Sequence, residues 1–198
     1  MLEVFYILII FISGVLSGIL NIMAGGGSTI TLGVMIFMGM DAAVANGTNR
    51  IGLIVESTSG VLAFKSENYS EFKESFKLAF WTIPGAVTGA IYAIKISNEM
   101  FQQILAVVMI LILFTLFIPK SKEIKQIETA GKRKIFIYPA MFAIGFYGGF
   151  IQVGIGFILM AGIRWGLNTN LIKVNMHKVF VVLVYTIPAL IIFAISGN

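Results

Sequence analysis

MAGGGSTITLGVMIFMGMDAAVANGTNR, residues 23–50, decides how this chain is read. An uncharged apolar run over residues 4–24 stops at Gly25, Gly26 and Gly27. A short apolar piece follows at residues 28–39, and ANGTNR, residues 45–50, then sits inside another long apolar run. Consecutive glycines supply backbone dihedrals that other residues avoid and leave amide groups uncovered. Near the other end the pattern returns. The run through Gly145, Gly148 and Gly149 breaks at Gly154 and Gly156, a short piece over residues 157–165 follows, and VNMHKV, residues 174–179, opens a further apolar stretch.

The rest of the composition says which solvent these breaks sit in. Hydrophobic residues make up 58% of the 198, charged residues 12%, and mean hydropathy is +0.96, whereas soluble domains carry about 25% charged residues. An integral membrane protein follows. Apolar runs at residues 4–24, 43–64, 78–94, 101–118, 135–153 and 171–195 are each about the length of a helix that crosses the hydrocarbon core. They are continuous rather than alternating, which excludes a membrane barrel, so the expected fold is all-α, a polytopic helical membrane protein. The first run follows Glu3 with no basic residue before it and is followed by five more, so it is expected to stay in the mature protein. There is no cysteine, hence no disulfide and no thiolate metal site, and neither a cofactor nor a metal is expected.

The formal charge of +5 concentrates in residues 119–134, where Lys120, Lys122, Lys125, Lys132, Arg133 and Lys134 stand among Glu123 and Glu128. No aromatic residue interleaves them to stack on bases, so a nucleic-acid partner is not expected. A basic cytoplasmic loop obeying the positive-inside rule is. Residues 65–77, with Lys65, Lys73 and Lys77, then also lie inside, and the turn at residues 95–99, with Lys95, lies outside. Arg164 and Lys173 are expected near the external interface, and Trp165, Trp81 and Tyr138 as interfacial anchors.

The two breaks imply two internal repeats. A shift of 131 residues places Gly14 on Gly145, Gly18 on Gly149, Asn21 on Gln152 and Gly25 on Gly156. A shift of 129 places Asn46 on Asn175, Thr48 on His177 and Asn49 on Lys178. The first repeat covers residues 1–118 and a partial second covers 135–198. The pieces at 28–39 and 157–165 reach about half of a ~30 Å core and are expected as half-helices or re-entrant segments. Irregular backbone at that depth is tolerated only inside protein or along a wet cavity, and the N-terminus of a half-helix suits an anion. A pair of Gly-interrupted short segments in corresponding positions is the sequence mark of a secondary transporter's substrate site. Gly14 and Gly18, spaced as GxxxG, are read as close helix packing instead.

Ionisable groups inside the bilayer are costly and tend to be functional. Asn46, Asn49 and Arg50 share a helix face by their spacing, with Thr48 near it, and this face is expected to line a permeation cavity in which Arg50 attracts an oxyanion. Snorkelling of Arg50 to external headgroups is the alternative. Glu56 lies about 120° round the helix from Arg50, so the two cannot pair directly; it is a structural counter-ion or a protonatable coupling group. In the second half Asn175 shares a face with Lys178, the preferred second cation, while His177, the only histidine, is either hydrogen-bonded structure or a proton carrier. Gly25, Gly26, Gly27 and Gly156 complete the substrate-binding set, with Glu56 and His177 as coupling residues. There is no HExxH, Walker loop or nucleophile elbow, and no enzyme is expected.

The glycine break, the short piece and ANGTNR opening a helix, repeated more loosely as VNMHKV, resemble the TauE/SafE family of sulfite and sulfonate exporters, also called toluene sulfonate uptake permeases. The resemblance covers most of the chain, from about Gly14 to Phe193. It implies a multi-span prokaryotic-type permease of the cell membrane for small sulfur-containing or organic anions, driven by an ion gradient; Glu56 or His177 is then the expected proton partner. In the family the second repeat continues, and here its counterparts to residues 78–118 would fall beyond Asn198. That leaves a shortened member, a fragment, or a homo-oligomer in which a second copy supplies the missing spans, and a second half that does not close a transport path alone. An anion channel and a non-transporting membrane scaffold are the competing classes.

Overall fold

The computed structural model describes residues 2–117 and 130–197. Among them the fold is all helix: α1 (Leu2–Met23), α2 (Ser28–Phe37), α3 (Ala42–Ser66), α4 (Phe72–Ala93), α5 (Asn98–Phe117), α6 (Ala130–Phe150), α7 (Ile155–Leu167) and α8 (Leu171–Ser196). Each of the six expected spans falls on a helix of 20 to 26 residues, and the two short pieces are helices of 10 and 13. By length and hydropathy, two helices, Val4–Met23 and Leu171–Ser196, are apolar enough to cross a membrane. α3 is interrupted by Asn46, Asn49, Arg50 and Glu56, and α4 carries Lys73, Glu74 and Lys77 in its first turns.

Several expected boundaries move. The basic segment is helical from Ala130 onward, while residues 118–129, with Lys120, Lys122 and Lys125, lie outside the described residues. Residues 65–77 are mostly helix rather than linker, because α3 runs to Ser66 and α4 starts at Phe72. The second short piece starts at Ile155, so Gly156 lies inside α7 and the break itself is Gln152 to Gly154.

The two breaks are built alike. The amides of Ala24 and Gly25 both donate to the Leu20 carbonyl, and those of Ile151 and Gln152 both donate to the Tyr147 carbonyl. Each helix thereby stops on a left-handed residue, Gly25 (φ 92°) in the first and Gln152 (φ 58°) in the second, with Gly154 (φ 68°) just after it. Past the stop the chain doubles back. Ser28 and Thr31 of α2 contact Asn21 and Ser17 of α1. In the second pair, a Cβ at Gly162 would meet Ile144 and Met141, and one at Gly166 would meet Ile137.

These pairings give every helix a direction. α3 and α8 are antiparallel: Gly60 lies against Val179 and Arg50 against Phe193. α4 and α6 are parallel, with Gly85 and Gly89 of one set against Phe142, Phe146 and Phe150 of the other. Consequently α1–α2 enters from one end of the bundle and α6–α7 from the opposite end. Arg164 and Lys173 are therefore at the same end as Lys65, Lys73 and the start of α6, not at the opposite end, since α7 returns towards where α6 began. Lys173 pairs there with Glu71. The other end carries Lys95, Glu99 and Asp41, the last accepting from Asn98.

Gly14 and Gly18 are not a packing motif: a Cβ on Gly14 would meet nothing within 4 Å, and one on Gly18 only Glu56. The close pair is Gly85 and Gly89 against Gly145 and Gly149, where a Cβ at any of the four would run into the facing helix backbone. Around this seam two apolar clusters form. One, including Leu78, Ile137, Leu159 and Val181, lies toward the end where α4 starts; the other, including Leu32, Ala90, Phe101 and Ile151, lies toward the opposite end. α1 stands outermost, with Ile7, Phe11 and Met23 each about two-thirds exposed, a surface suited to hydrocarbon rather than water.

Candidate functional site

A helix ends with carbonyls that have no intrahelical donor, and deep in a membrane no water replaces it. At the end of α6, three such carbonyls are met by side chains of α3. Arg50 Nη1 and Nη2 donate to Gly148 (3.3 Å) and Gly149 (2.5 Å), and Asn46 Nδ2 donates to Phe150 (3.0 Å). Gln152 returns a bond to the Asn46 carbonyl at 3.0 Å. The guanidinium is fully buried and lies 4.6 Å from the Phe193 ring centroid. At the end of α1 the same task falls to α8: Lys178 Nζ donates to the carbonyls of Asn21 (2.7 Å) and Ile22 (2.9 Å). Each cation sits on the negative end of a helix from the other half of the chain.

The two tips touch. A Cβ on Gly25 would collide with the Gly156 backbone, and one on Gly156 with that of Gly25. Beside this contact is a cavity of about 20 Å³ lined by, among others, Asn21, Gly25, Glu56, Ser57, Gly156 and Lys178. That is room for about one water. Asn21 organises the wall: its Nδ2 donates to Glu56 Oε2 (3.3 Å) and to Ser28 Oγ (3.2 Å), and its Oδ1 accepts the Ser28 amide (3.2 Å). Ile155 and Gly156, in the first turn of α7, also line it, so the positive end of that helix faces the cavity.

Of the residues singled out from the sequence, Gly25, Gly156, Glu56 and Lys178 are brought together here. Gly26 and Gly27 flank them, with Gly27 packed so tightly on Ser17 that a Cβ would meet its carbonyl. The face of Asn46, Asn49 and Arg50 does not line this cavity; it is packed on the end of α6 and on Thr31, whose hydroxyl donates to Asn49 Oδ1 at 2.6 Å. Thr48 is on the exposed side of α3. Asn175 is half-buried, with its Oδ1 enclosed and without a protein partner among the described residues. His177 is buried against α4, its Nδ1 2.7 Å from Ser75 Oγ, away from the cavity. Asn21 and Ser57 had no assigned role; the signal for Asn21 was an amide inside an otherwise apolar run.

A family model for the sulfite exporter TauE/SafE matches residues 10–198. The chain belongs to the TauE/SafE family. This is a family of membrane transporters, and the chain is a membrane protein rather than an enzyme. It is 25% identical over 173 residues to a probable membrane transporter protein of a Sinorhizobium species, covering 86% of this chain and 66% of that protein. To a probable membrane transporter protein of Haemophilus influenzae it is 25% identical over 191 residues, covering 96% of the chain and 74% of the relative. To the probable membrane transporter protein YfcA of Escherichia coli it is 25% identical over 194 residues, covering 96% and 71%. No solved structure matches the chain. The TauE/SafE match begins in α1 and takes in both breaks, so the cavity with Lys178 and the Arg50 cap of α6 lie wholly within it.

Proposed function

We propose that this chain is a secondary-active carrier of small anions of the sulfite and sulfonate class, acting in the cell membrane of a prokaryote and coupled to protons. The observation that carries the reading is the meeting of Gly25 and Gly156 beside Lys178. Two helix breaks reach the same point from opposite ends of the bundle and leave a buried cation, a carboxylate and a helix N-terminus around one small cavity. In this reading α1–α3 and α6–α8 are inverted repeats, with α1–α2 and α6–α7 the re-entrant pairs. The shift that aligns Gly25 with Gly156 aligns two residues in contact, as a two-fold axis passing between them requires.

Lys178, Gly25 and Gly156 hold the anion, while Asn46 and Arg50 hold the break of α6 in place and Asn49 holds α2 through Thr31. The basic end, with Lys65, Lys73, Arg164 and Lys173, faces the cytoplasm. A cavity of only about 20 Å³ speaks for a carrier that opens by moving one half against the other, rather than for an open channel. Uptake of labelled sulfite and thiosulfate into proteoliposomes under an imposed pH gradient tests this. Saturable uptake that is lost in Lys178→Ala is expected; wild-type uptake by that variant overturns the site, and currents that do not saturate favour a channel.

A further inference from the structure

We infer that Glu56 is the resident counter-ion of Lys178, and that an anion binds Lys178 only as a proton binds Glu56. This deepens the carrier reading and rests on it. Among the described residues Glu56 is the one carboxylate lining the cavity, and Asn21 ties it to the cation: the Asn21 side-chain amide donates to Glu56, and the Asn21 backbone carbonyl accepts from Lys178. An ammonium has three donors, two of which go to carbonyls. Its remaining donor and its charge are what the carboxylate, or an oxyanion in its place, can use.

The surroundings single out this pair. From α8 the titratable groups bearing on Glu56 are Lys178 and the buried Tyr185. α1 and α7 bring Asn21, Ile22, Gly25, Ile155 and Gly156 to the cavity, none of which titrates, and α2 adds Ser28 through Asn21. On α3 itself Arg50 is committed to Gly148 and Gly149. His177, next to Lys178 in sequence, bonds Ser75 on α4 and does not line the cavity.

Charge then dictates the coupling. Ionised Glu56 with Lys178 sums to zero. A singly charged oxyanion arriving beside them leaves one uncompensated negative charge in a low-dielectric site, which is strongly disfavoured. If the carboxylate takes up one proton and becomes the neutral acid while Lys178 keeps its charge, the loaded site is neutral again. One proton therefore accompanies each monoanion, and no net charge moves.

Calorimetry of the purified full chain with methanesulfonate and with ethanesulfonate, both monoanions that do not titrate near neutral pH, tests this in two buffers of different protonation heat. About one proton taken up per bound anion is expected, with affinity falling about tenfold per pH unit once Glu56 is ionised. In Glu56→Gln the anion still binds, proton uptake disappears and affinity changes by less than about twofold per pH unit. In proteoliposomes that variant exchanges anion for anion but no longer accumulates it from a pH gradient, whereas His177→Asn still does. Wild-type binding without proton uptake, or undiminished proton uptake in Glu56→Gln, overturns the inference and leaves the carrier standing. Binding of neither anion by the wild type overturns the carrier reading and this inference with it.

Discussion

At one break the Arg50 guanidinium, without exposed surface, donates to Gly148 and Gly149 and lies on the Phe193 ring; at the other, the Lys178 ammonium donates to Asn21 and Ile22 while facing a cavity that Glu56 shares. Both answer the same need, orphan carbonyls at the end of a helix stopped inside the fold. The planar fork of arginine is preorganised for two carbonyls side by side, and a ring covers its face. Lysine is a point charge on a flexible stem, able to change partners. A cation inside a membrane protein is thus not by itself a ligand site; what else it faces decides.

The comparison is broken most severely by removing Arg50. Arg50→Ala leaves two buried carbonyls unmet, at about 1 to 3 kcal/mol each. The expected result is loss of folded protein in detergent, seen as a large drop in thermal unfolding temperature or aggregation on size exclusion. Normal stability with lost anion binding would reverse the roles given to the two cations. Next is Gly156→Val, whose side chain has no space against Gly25; overpacking of about 1 to 3 kcal/mol should lower the melting temperature and abolish uptake. Lys178→Met comes third: it keeps the length of the side chain, so stability should fall less than in Arg50→Ala, while anion-dependent thermal stabilisation vanishes. Smallest are Thr48→Val and Gly14→Ala, on open helix surface, each expected within about 0.5 kcal/mol of wild type with unchanged uptake. A transport defect in Thr48→Val would put the ANGTNR face back on the substrate path.

Much of the helix order was legible. Apolar runs of helix length, each stopped by glycines or a polar cluster, located α1 to α8 to within a few residues at most ends, because hydrophobic length and Gly breaks are local properties. The start of α4 was missed by several residues: Phe72 to Lys77 are polar enough to read as linker, yet form a helix end outside the apolar zone. The candidate site was half legible. Gly25, Glu56, Gly156 and Lys178 stood out as anomalies in apolar runs, but so did Arg50 and Asn46. Nothing local distinguishes a cation that caps a carbonyl from one that faces a cavity, since both are single charges about two turns into a helix. The seam of Gly85, Gly89, Gly145 and Gly149 was equally open to view as spacing, but Gly14 and Gly18 have that spacing too and meet no facing helix backbone.

By itself the sequence determined the solvent of this protein, its helical class, the position of both breaks and the family to which it belongs, because each follows from composition or from a motif read in place. The tertiary structure decided the directions. That α6–α7 meets α1–α2 head to head, that Arg50 turns to α6 and Lys178 to α1, and that Glu56 shares a cavity with Lys178 rather than with Arg50 depend on contacts between residues about a hundred positions apart or more. Such contacts are set by how helices cross and by which carbonyls are left without donors, and neither is carried by any one stretch of the chain.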